Sequence, residues 1–264
     1  MTVREVLDAA VPALDAAGCD TARLDAEVLV CDALGVDRAT ILSSPELPIP
    51  SAAARLLSER VRRRVGREPV AYILGRRGFR HIELEVDVRV LIPRPETELL
   101  VELALELPEG ARVHDVGTGS GAVGLALLQE RPDLIVSASD SSAAAVEVAR
   151  ANAARLRLPL EIVECRGLPD GDYELVLANL PYVRDDEWAA LAPEITRFEP
   201  RDALVSGPDG LDAIRSLVGE APAGTHMALE HAPGQASAVR SLLHAAATYP
   251  DLAGRERVTA GTVP

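Results

Sequence analysis

From residue 96 onward, short apolar segments alternate with helical segments, and this alternation limits the folds that the chain can adopt. The apolar segments 112–117 and 134–140 have the length of buried strands, and a helical pattern over 121–132 separates them. Strands separated by helices of about a dozen residues form βαβ units, in which neighbouring strands run parallel. The sequence therefore predicts an α/β fold with a doubly wound, mostly parallel sheet.

The remaining elements of this region extend the same pattern. We expect further strands over 160–165, 173–180, 225–232 and 255–263. We expect further helices over 97–108, 141–156, 210–218 and 235–247. No internal repeat interrupts this order, so residues 96–264 are interpreted as one domain.

Residues 1–75 carry apolar residues near helical spacing and predict a small helical bundle. Gly18 and Gly35 are placed to end its first two helices, because glycine adopts the left-handed conformation common after a helix. Thr21 and Ser51 are placed as N-caps of later helices.

A short segment between the bundle and the α/β region has a different pattern. Residues 79–90 alternate apolar and polar side chains, which is typical of a strand. We therefore divide the chain into an N-terminal helical domain (1–75), a β-hairpin linker (76–95) and a third domain (96–264).

Five arginines near the end of the bundle form a local basic cluster in an acidic chain. They are Arg60, Arg62, Arg63, Arg64 and Arg67. Two interpretations stay open, a solvated helix face or a surface that docks an acidic partner. No catalytic pattern precedes Phe79, so we interpret the bundle as a substrate-recognition domain.

The overall charge argues against extended contact with nucleic acid. The chain has 27 basic residues, all of them arginine, and 41 acidic residues, which gives a formal net charge of −14. An acidic surface repels a phosphate backbone, and the aromatic residues that stack on bases make up only 3% of the chain. No apolar run is long enough to span a membrane.

The three cysteines, Cys19, Cys31 and Cys165, stand far apart and suit a reducing compartment. They have no CxxC spacing and the histidines form no HxxxH pair, so we expect no metal site. The N-terminus lacks the basic and apolar segments of a signal peptide. These features together predict a cytoplasmic protein.

A glycine-rich turn follows the first expected strand of the α/β region and opens the next helix. It consists of Gly117, Thr118, Gly119, Ser120 and Gly121. Glycine permits positive φ and close approach of a ligand, and the helix N-terminus beyond offers free N–H groups. Asp140, at the end of the second strand, is placed to accept hydrogen bonds from two ribose hydroxyls. These features fit NAD, a nucleotide or S-adenosyl-L-methionine (SAM), and the turn alone also fits a structural role.

The segment Asn179-Leu180-Pro181-Tyr182 closes the fourth expected strand, at the sheet edge where α/β folds bind ligands. The Asn179 side-chain oxygen and the Leu180 carbonyl are two hydrogen-bond acceptors at a short separation. Together they can hold both hydrogens of a planar NH2 group, while the Tyr182 ring covers its face. The alternative is a proline–aromatic turn with a capping asparagine.

Ile92-Pro93-Arg94-Pro95-Glu96-Thr97-Glu98 reads IPRPETE, and residues 68–75 read EPVAYILG. Further short motifs are Phe198-Glu199-Pro200, 206–211, 229–231 and 256–259. With the Asn179 motif, these segments resemble the protein-(glutamine-N5) methyltransferases that modify peptide chain release factors. The likeness covers the whole chain and implies a seven-stranded, Rossmann-like SAM methyltransferase sheet behind a small helical domain.

The resemblance implies a role for each matching residue. SAM would be bound by Gly117, Thr118, Gly119, Ser120, Gly121, Asp140, Asn179, Arg94 and Thr97. The substrate amide would be held by the catalytic set Asn179, Leu180, Pro181 and Tyr182. The acceptor would be the glutamine of the Gly-Gly-Gln loop of a peptide chain release factor, and SAM would leave as S-adenosyl-L-homocysteine.

The chain departs from this family at two places. It reads NLPY where the family usually has NPPY, a form also seen in rRNA adenine-N6 dimethyltransferases, and residues 165–169 lack the acid usually found near the adenine. Three alternatives therefore stay open. They are methylation of RNA adenine, methylation of another glutamine or a small metabolite, and a SAM-binding module without activity.

Five titratable residues near these motifs also have two interpretations. Glu96, Glu98 and Glu230 can take the proton that methylation releases, but we expect helix-surface or capping roles for them. His114 and His231 lie in apolar strands, and we expect both to be buried with hydrogen-bond partners.

Overall fold

The computed structural model describes residues 1–264, which form two compact units. The first unit comprises Met1–Gly75 and Ala192–Phe198, and the second comprises Arg76–Leu191 and Glu199–Pro264. The first unit therefore includes a short segment from far along the chain, which no local pattern indicates. None of the helices is both long and apolar enough to cross a membrane.

The chain contains eleven α-helices and nine β-strands. The helices are α1 (Val3–Ala16), α2 (Ala22–Leu34), α3 (Arg38–Ser43), α4 (Ser51–Val65), α5 (Val70–Leu74), α6 (Glu98–Leu105), α7 (Ala122–Glu130), α8 (Ala143–Leu156), α9 (Pro193–Phe198), α10 (Asp212–Glu220) and α11 (Ala236–Arg240). The strands are β1 (Arg76–Phe79), β2 (Ile82–Glu85), β3 (Arg112–Val116), β4 (Ile135–Asp140), β5 (Glu161–Glu164), β6 (Leu175–Ala178), β7 (His226–Glu230), β8 (His244–Pro250) and β9 (Glu256–Thr262). All nine strands belong to the second unit.

The first unit is a helical bundle, as the apolar spacing predicts. Leu14 of α1, Leu29 of α2 and Leu57 of α4 are buried in its core, and burial of such a side chain contributes about 2 kcal/mol. Helix α1 begins at a capping box. There the Thr2 side chain accepts a hydrogen bond from the Glu5 N–H, and the Glu5 carboxylate accepts one from the Thr2 N–H.

Two predicted helix caps need correction, whereas Gly35 ends α2 in the left-handed conformation as predicted (φ +64°). Thr21 precedes α2 without capping it, because its hydroxyl donates to the Asp25 side chain instead (2.8 Å). Ser51 is the first residue of α4, and Pro50 occupies the capping position. The fixed φ of proline favours the start of a helix even though its side chain accepts no hydrogen bond.

Carboxylates within the first unit neutralise most of the basic cluster at the end of α4. Four ion pairs have N–O distances of 2.5–2.7 Å: Arg60 with Asp32, Arg63 with Glu68, Arg64 with Asp25, and Arg67 with Glu194. Arg62 is the only one of the five that is classed as exposed to solvent. Neither the solvated face nor the docking surface describes the cluster, because four of its five charges are compensated inside the unit.

Two of these arginines hold Glu194 of α9. Its Oε1 accepts hydrogen bonds from Nη1 of Arg64 and Nε of Arg67 (both 2.7 Å), and its Oε2 accepts one from Nη2 of Arg67 (2.5 Å). Burial alone raises the pKa of Glu194, but the hydrogen bonds from Arg67 and Arg64 outweigh it and lower the pKa to about 2. These bonds attach the segment Ala192–Phe198 to the first unit.

The second unit begins with the antiparallel hairpin of β1 and β2. The strand predicted over 79–90 ends early, at Glu85. Glu85 pairs with Arg76, the first residue of β1. Gly75, which precedes Arg76, has φ +72°, so the chain before β1 does not continue the strand. Residues 86–90 therefore have no partner strand and form no ladder.

The other seven strands form one sheet in the order β5-β4-β3-β6-β7-β9-β8. The five strands from β5 to β7 are parallel, and β9 lies antiparallel between β7 and β8. This topology confirms the predicted doubly wound, mostly parallel, seven-stranded sheet. Its carboxyl edge is formed by the ends of β3, β4, β6 and β7, the place where open α/β sheets bind ligands.

The helix predicted over 235–247 is partly wrong. Helix α11 ends at Arg240, and His244–Pro250 forms the edge strand β8. The alanines of this segment favour helix locally, but Ala247 pairs with Ala260 of β9. Pairing with a strand that follows in sequence outweighs that local preference.

Glu194→Gln should lower the free energy of unfolding at pH 7 by about 3 kcal/mol, because it leaves Arg64 and Arg67 without their shared carboxylate. Folding lowers the pKa of Glu194, so its contribution is complete above about pH 4.5 and is lost as the pH falls toward about 2. The difference from wild type should shrink over that interval. Denaturant titrations at several pH values measure both quantities.

Glu59→Gln is the matched control, since it makes the same change at an exposed position of α4. It should leave the free energy of unfolding nearly unchanged. Equal stability of Glu194→Gln and wild type at pH 7 would contradict a stabilising role for this ion pair.

Candidate active site

The glycine turn lies directly after β3, and its glycines have positive φ. The φ angles are +73° at Gly117, +55° at Gly119 and +84° at Gly121. A Cβ atom on Gly117 would lie 3.0 Å from Cδ2 of Leu180, whereas a Cβ on Gly119 would meet no atom within 4 Å. The turn therefore packs closely on the Leu180 segment and leaves open space beside Gly119.

The first three backbone N–H groups of this turn already have acceptors within the protein. Those of Gly117 and Thr118 donate to the Ser139 carbonyl (2.8 and 3.0 Å), and that of Gly119 donates to Oδ2 of Asp140 (2.9 Å). These bonds join the turn to the end of β4. The turn thus contributes shape and close approach to a ligand, rather than free donors at these three positions.

Asp115, the residue before Val116 on β3, is hydrogen-bonded to the glycine turn and to the helix that follows it. Its Oδ2 accepts hydrogen bonds from the Thr118 hydroxyl (2.6 Å) and from the Gly124 N–H (3.3 Å). Burial raises the pKa of Asp115 to about 6, although both hydrogen bonds act to lower it. The two hydrogen bonds to this buried carboxyl therefore fix the backbone path of the glycine turn.

Asp140 is held rigidly at the end of β4. Its Oδ2 accepts from the Gly119 N–H, and its Oδ1 accepts from the N–H of Ser142 (2.9 Å), which caps α8. Each carboxylate oxygen has a further lone pair, so both can still accept a hydroxyl hydrogen. The geometry suits a ligand with two neighbouring hydroxyls.

Two adjoining cavities of about 420 and 410 Å³ open at this sheet edge. Both are lined by Gly117, Ser141, Leu180, Pro181 and Asp202. The first also has residues 165–167 and Asp212 in its wall, and the second has Gly119, Asp140 and Asn179. Cavities of this size hold small-molecule ligands.

The nine residues expected at the cofactor fall into three groups. Gly117, Gly119, Asp140 and Asn179 line the cavities. Gly121 and the buried Thr118 and Ser120 belong to the turn but do not line either cavity. Arg94 and Thr97 also lie outside the cavity walls, and each has a protein partner instead.

Arg94 pairs with the buried Glu199, which also accepts a hydrogen bond from the Ile92 N–H (3.2 Å). The Arg94–Glu199 distance is 2.5 Å. Pro200 and Asp202, which follow Glu199, line the cavities. Arg94 therefore holds the cavity wall in place through Glu199.

Asn179 follows β6, and the NH2 end of its side-chain amide faces the protein. Its Nδ2 donates to Oγ1 of Thr97 (2.9 Å). Neither the Asn179 side-chain oxygen nor the Leu180 carbonyl accepts a hydrogen bond from the protein. Two neighbouring acceptors without a protein donor thus lie beside the second cavity.

Tyr182 is fixed through both its hydroxyl and its backbone. The hydroxyl donates to Oε1 of Glu230 (3.3 Å), and the backbone carbonyl accepts from Nε2 of Gln235 (2.9 Å). A Cβ atom on Gly210 would lie 2.2 Å from that carbonyl oxygen, so only glycine fits there. The loop that contains Gly210 therefore supports the Tyr182 segment.

Glu230 ends β7 and is fully buried (0% exposed), which contradicts the helix-surface or capping role expected from sequence. Burial raises its pKa to about 7, while the neighbouring Thr97 hydroxyl, the charge of Arg257 and the hydrogen bond from Tyr182 act to lower it. Its Oε2 has no hydrogen-bond partner. Its position at the end of an expected strand is the sequence feature that could have indicated a place at the carboxyl edge of the sheet.

The other titratable residues have partners of their own. Glu98 accepts from the Arg80 N–H (3.1 Å), and Glu96 lies 3.6 Å from Nη2 of Arg255. His114 and His231 are buried, and both ring nitrogens of each have a hydrogen-bond partner, which confirms the expectation for both. Burial lowers the pKa of His114 to about 4, so it is neutral at pH 7.

The chain has sequence relatives that match it over nearly its whole length. Residues 5–75 match the family described as PrmC N-terminal domain, and residues 95–203 match the Methyltransferase small domain. A release factor glutamine methyltransferase of Xylella fastidiosa strain Temecula1 is 42% identical, and the match covers 92% of this chain and 94% of that protein. A release factor glutamine methyltransferase of Cereibacter sphaeroides is 40% identical, and the match covers 100% of this chain and 99% of that protein.

Solved structures of low sequence identity share the fold. The hMettl16 catalytic domain in complex with a MAT2A 3′UTR hairpin has a TM-score of 0.54 at 13% identity, covering 79% of this chain and 81% of its own. The T. thermophilus 16S rRNA methyltransferase RsmC, in complex with AdoMet and guanosine, has a TM-score of 0.50 at 14% identity. That match covers 72% of this chain and 50% of RsmC. These likenesses concern the fold alone.

Proposed function

We propose that this chain, which belongs to the release factor glutamine methyltransferase family, transfers a methyl group from SAM to the side-chain amide nitrogen of a glutamine in a peptide chain release factor. The observation that carries this proposal is the pair of free acceptors at Asn179 and Leu180. They match the two hydrogens of a planar amide NH2 group. The substrate glutamine is that of the Gly-Gly-Gln loop, because flexible glycines let it enter a narrow cavity.

The residues at the sheet edge fit SAM. The open space beside Gly119 admits a ligand against the backbone, and the Asp140 carboxylate can accept both ribose hydroxyls. The adjoining cavities offer room for a nucleoside and its amino-acid tail. When bound, SAM supplies an electrophilic methyl group on a positively charged sulfur and leaves as S-adenosyl-L-homocysteine.

Catalysis in this proposal depends on positioning and on the two acceptors. An amide nitrogen is a weak nucleophile, because its lone pair is delocalised into the carbonyl. The Asn179 oxygen and the Leu180 carbonyl draw the N–H hydrogens toward them and so stabilise the positive charge that grows on nitrogen in the transition state. Holding the reacting atoms in line contributes roughly 7–11 kcal/mol of the barrier.

The bonding changes balance without a nucleophile from the protein. With SAM bound, the amide nitrogen would accept the methyl group, S-adenosyl-L-homocysteine would leave with the electron pair of the C–S bond, and the amide proton would pass to water. Pro181 lines both cavities, whereas Tyr182 lies outside their walls and supports the segment through its hydrogen bond to Glu230. No group of three or more His, Cys, Asp or Glu side chains is arranged to hold a metal ion.

The charge of the chain supports a protein acceptor over RNA. An exocyclic adenine amine offers the same NH2 geometry, so the two acceptors alone do not separate the substrates. A formal charge of −14 disfavours contact with a phosphate backbone. The cytoplasm is the compartment that we propose, since the three free cysteines of the chain suit a reducing environment and release factors act there.

We assign recognition of the folded release factor to residues 1–75, because the candidate site residues lie between residues 94 and 182. Hydrogen exchange of the full chain tests this assignment. Adding a release factor should slow exchange in α1, α2 or α4. Slower exchange confined to residues 76–191 would contradict it.

Two substitutions should separate cofactor binding from transfer. Asp140→Ala should weaken SAM binding about tenfold or more, since each charge-assisted hydrogen bond to a hydroxyl contributes about 1.5–3 kcal/mol. Asn179→Ala should lower kcat by about 100-fold, a far larger effect than its effect on SAM affinity, because the lost acceptor acts mainly in the transition state. Calorimetry with SAM and assays on a release factor measure the two effects.

Asp170→Ala is the control for both, since it removes an exposed carboxylate elsewhere in the second unit. It should change neither quantity. The site assignment would be wrong if Asp140→Ala bound SAM as tightly as wild type, or if Asn179→Ala lost affinity for SAM and kept its kcat.

A further inference from the structure

The side chain of Gln235, in the turn before α11, joins three backbone segments of the second unit. Its Nε2 donates hydrogen bonds to the carbonyls of Tyr182 (2.9 Å) and Asp209 (3.0 Å), and its Oε1 accepts one from the Ala232 N–H (2.9 Å). These partners belong to the segment after β6, the loop before α10 and the turn after β7. One side chain thus holds together three connections at the carboxyl edge of the sheet.

The three partners allow the Gln235 amide only one orientation. A backbone carbonyl can only accept a hydrogen bond, and a backbone N–H can only donate one. In the flipped orientation, Oε1 would face two carbonyl oxygens and the NH2 group would face an N–H, so no bond would form. The donor end of the amide therefore always faces the Tyr182 and Asp209 carbonyls.

Gly210, with φ +76°, leaves the space in which this contact forms. A Cβ atom there would lie 2.6 Å from Nε2 of Gln235 as well as 2.2 Å from the Tyr182 carbonyl oxygen. Both distances are far below ordinary contact, so any larger residue at position 210 would push the donor and its acceptor apart. The shape of this loop therefore depends on the hydrogen bond between Gln235 and Tyr182.

The Leu180 carbonyl, one of the two proposed acceptors, has no hydrogen bond of its own that fixes its direction. It lies between two held points, the Asn179 side chain before it and the Tyr182 carbonyl after it. Pro181 between the two carbonyls has a fixed φ, so a held Tyr182 carbonyl limits the directions that the Leu180 carbonyl can take. Leu180 itself lacks the fixed φ of a proline, which makes the downstream attachment more important.

We infer that Gln235 is a positioning residue, which through the Tyr182 carbonyl directs the Leu180 carbonyl at the NH2 group of the substrate. This inference rests on the proposed function. An acceptor stabilises the growing charge on nitrogen best when its direction is set before the reaction begins. Without the donor on Gln235, the Tyr182 carbonyl turns toward water, and the Leu180 carbonyl loses its fixed direction.

Two substitutions of Gln235 test the donor end of its amide. Gln235→Leu removes all three hydrogen bonds, whereas Gln235→Glu still accepts from the Ala232 N–H but places an acceptor oxygen against the two carbonyls. Each should lower kcat for glutamine methylation roughly tenfold, as expected for the loss of two neutral hydrogen bonds, and should change SAM affinity less than kcat. If Gln235 acted only in the turn at Ala232, Gln235→Glu would keep a normal kcat.

Counting the SAM-binding sites by calorimetry separates positioning from a structural role. A structural role lowers the unfolding midpoint and the number of sites, but leaves kcat per site at the wild-type value. Positioning lowers kcat per site. Gln129, the other glutamine of the chain, is exposed on α7, so Gln129→Leu and Gln129→Glu are matched controls that should leave kcat per site unchanged.

The outcomes distinguish this inference from the function on which it rests. If wild type methylates no glutamine of a release factor, the proposed function and this inference both fail. If wild type is active, the inference alone fails on any of three results: a normal kcat per site in Gln235→Glu, a loss of SAM affinity as large as the loss of kcat, or an equal loss of kcat in Gln129→Glu.

Discussion

The parallel register of the central strands is the constraint on which the rest of the second unit depends. Val116 of β3 pairs with Ser139 of β4 and with Ala178 of β6, and Ala178 pairs with Leu229 of β7. The residue after each of these positions therefore reaches the same edge. In this way Gly117, Asp140, Asn179 and Glu230 come together from four separate parts of the chain. A shift of one residue in any pairing would turn one of these side chains to the other face of the sheet.

Buried polar groups then give this edge its shape, at some cost in stability. Asp115 and Glu230 both have raised pKa values because burial disfavours their charged forms. Asp115 joins the glycine turn to its helix through Thr118 and Gly124, and Glu230 accepts a hydrogen bond from the Tyr182 hydroxyl. Each carboxyl fixes a backbone path or a side-chain orientation that apolar packing cannot specify.

The sequence predicts those parts of the site that depend on local pattern. Strand periodicity and the glycines locate the turn at 117–121, and strand ends locate Asp140 and Asn179. Contacts between distant segments have no such signal: Thr97 and Asn179 are 82 positions apart, and Glu194 joins a unit that otherwise ends at Gly75. Strand β8 has no local signal for the same reason, since it is stabilised by pairing with β9 rather than by its own composition.

Mass spectrometry of a release factor incubated with this protein and methyl-labelled SAM tests the central claim most directly. We expect one added methyl group on the side-chain nitrogen of the glutamine in the Gly-Gly-Gln loop. Label on RNA, on another residue of the release factor, or on no macromolecule would contradict the proposed substrate.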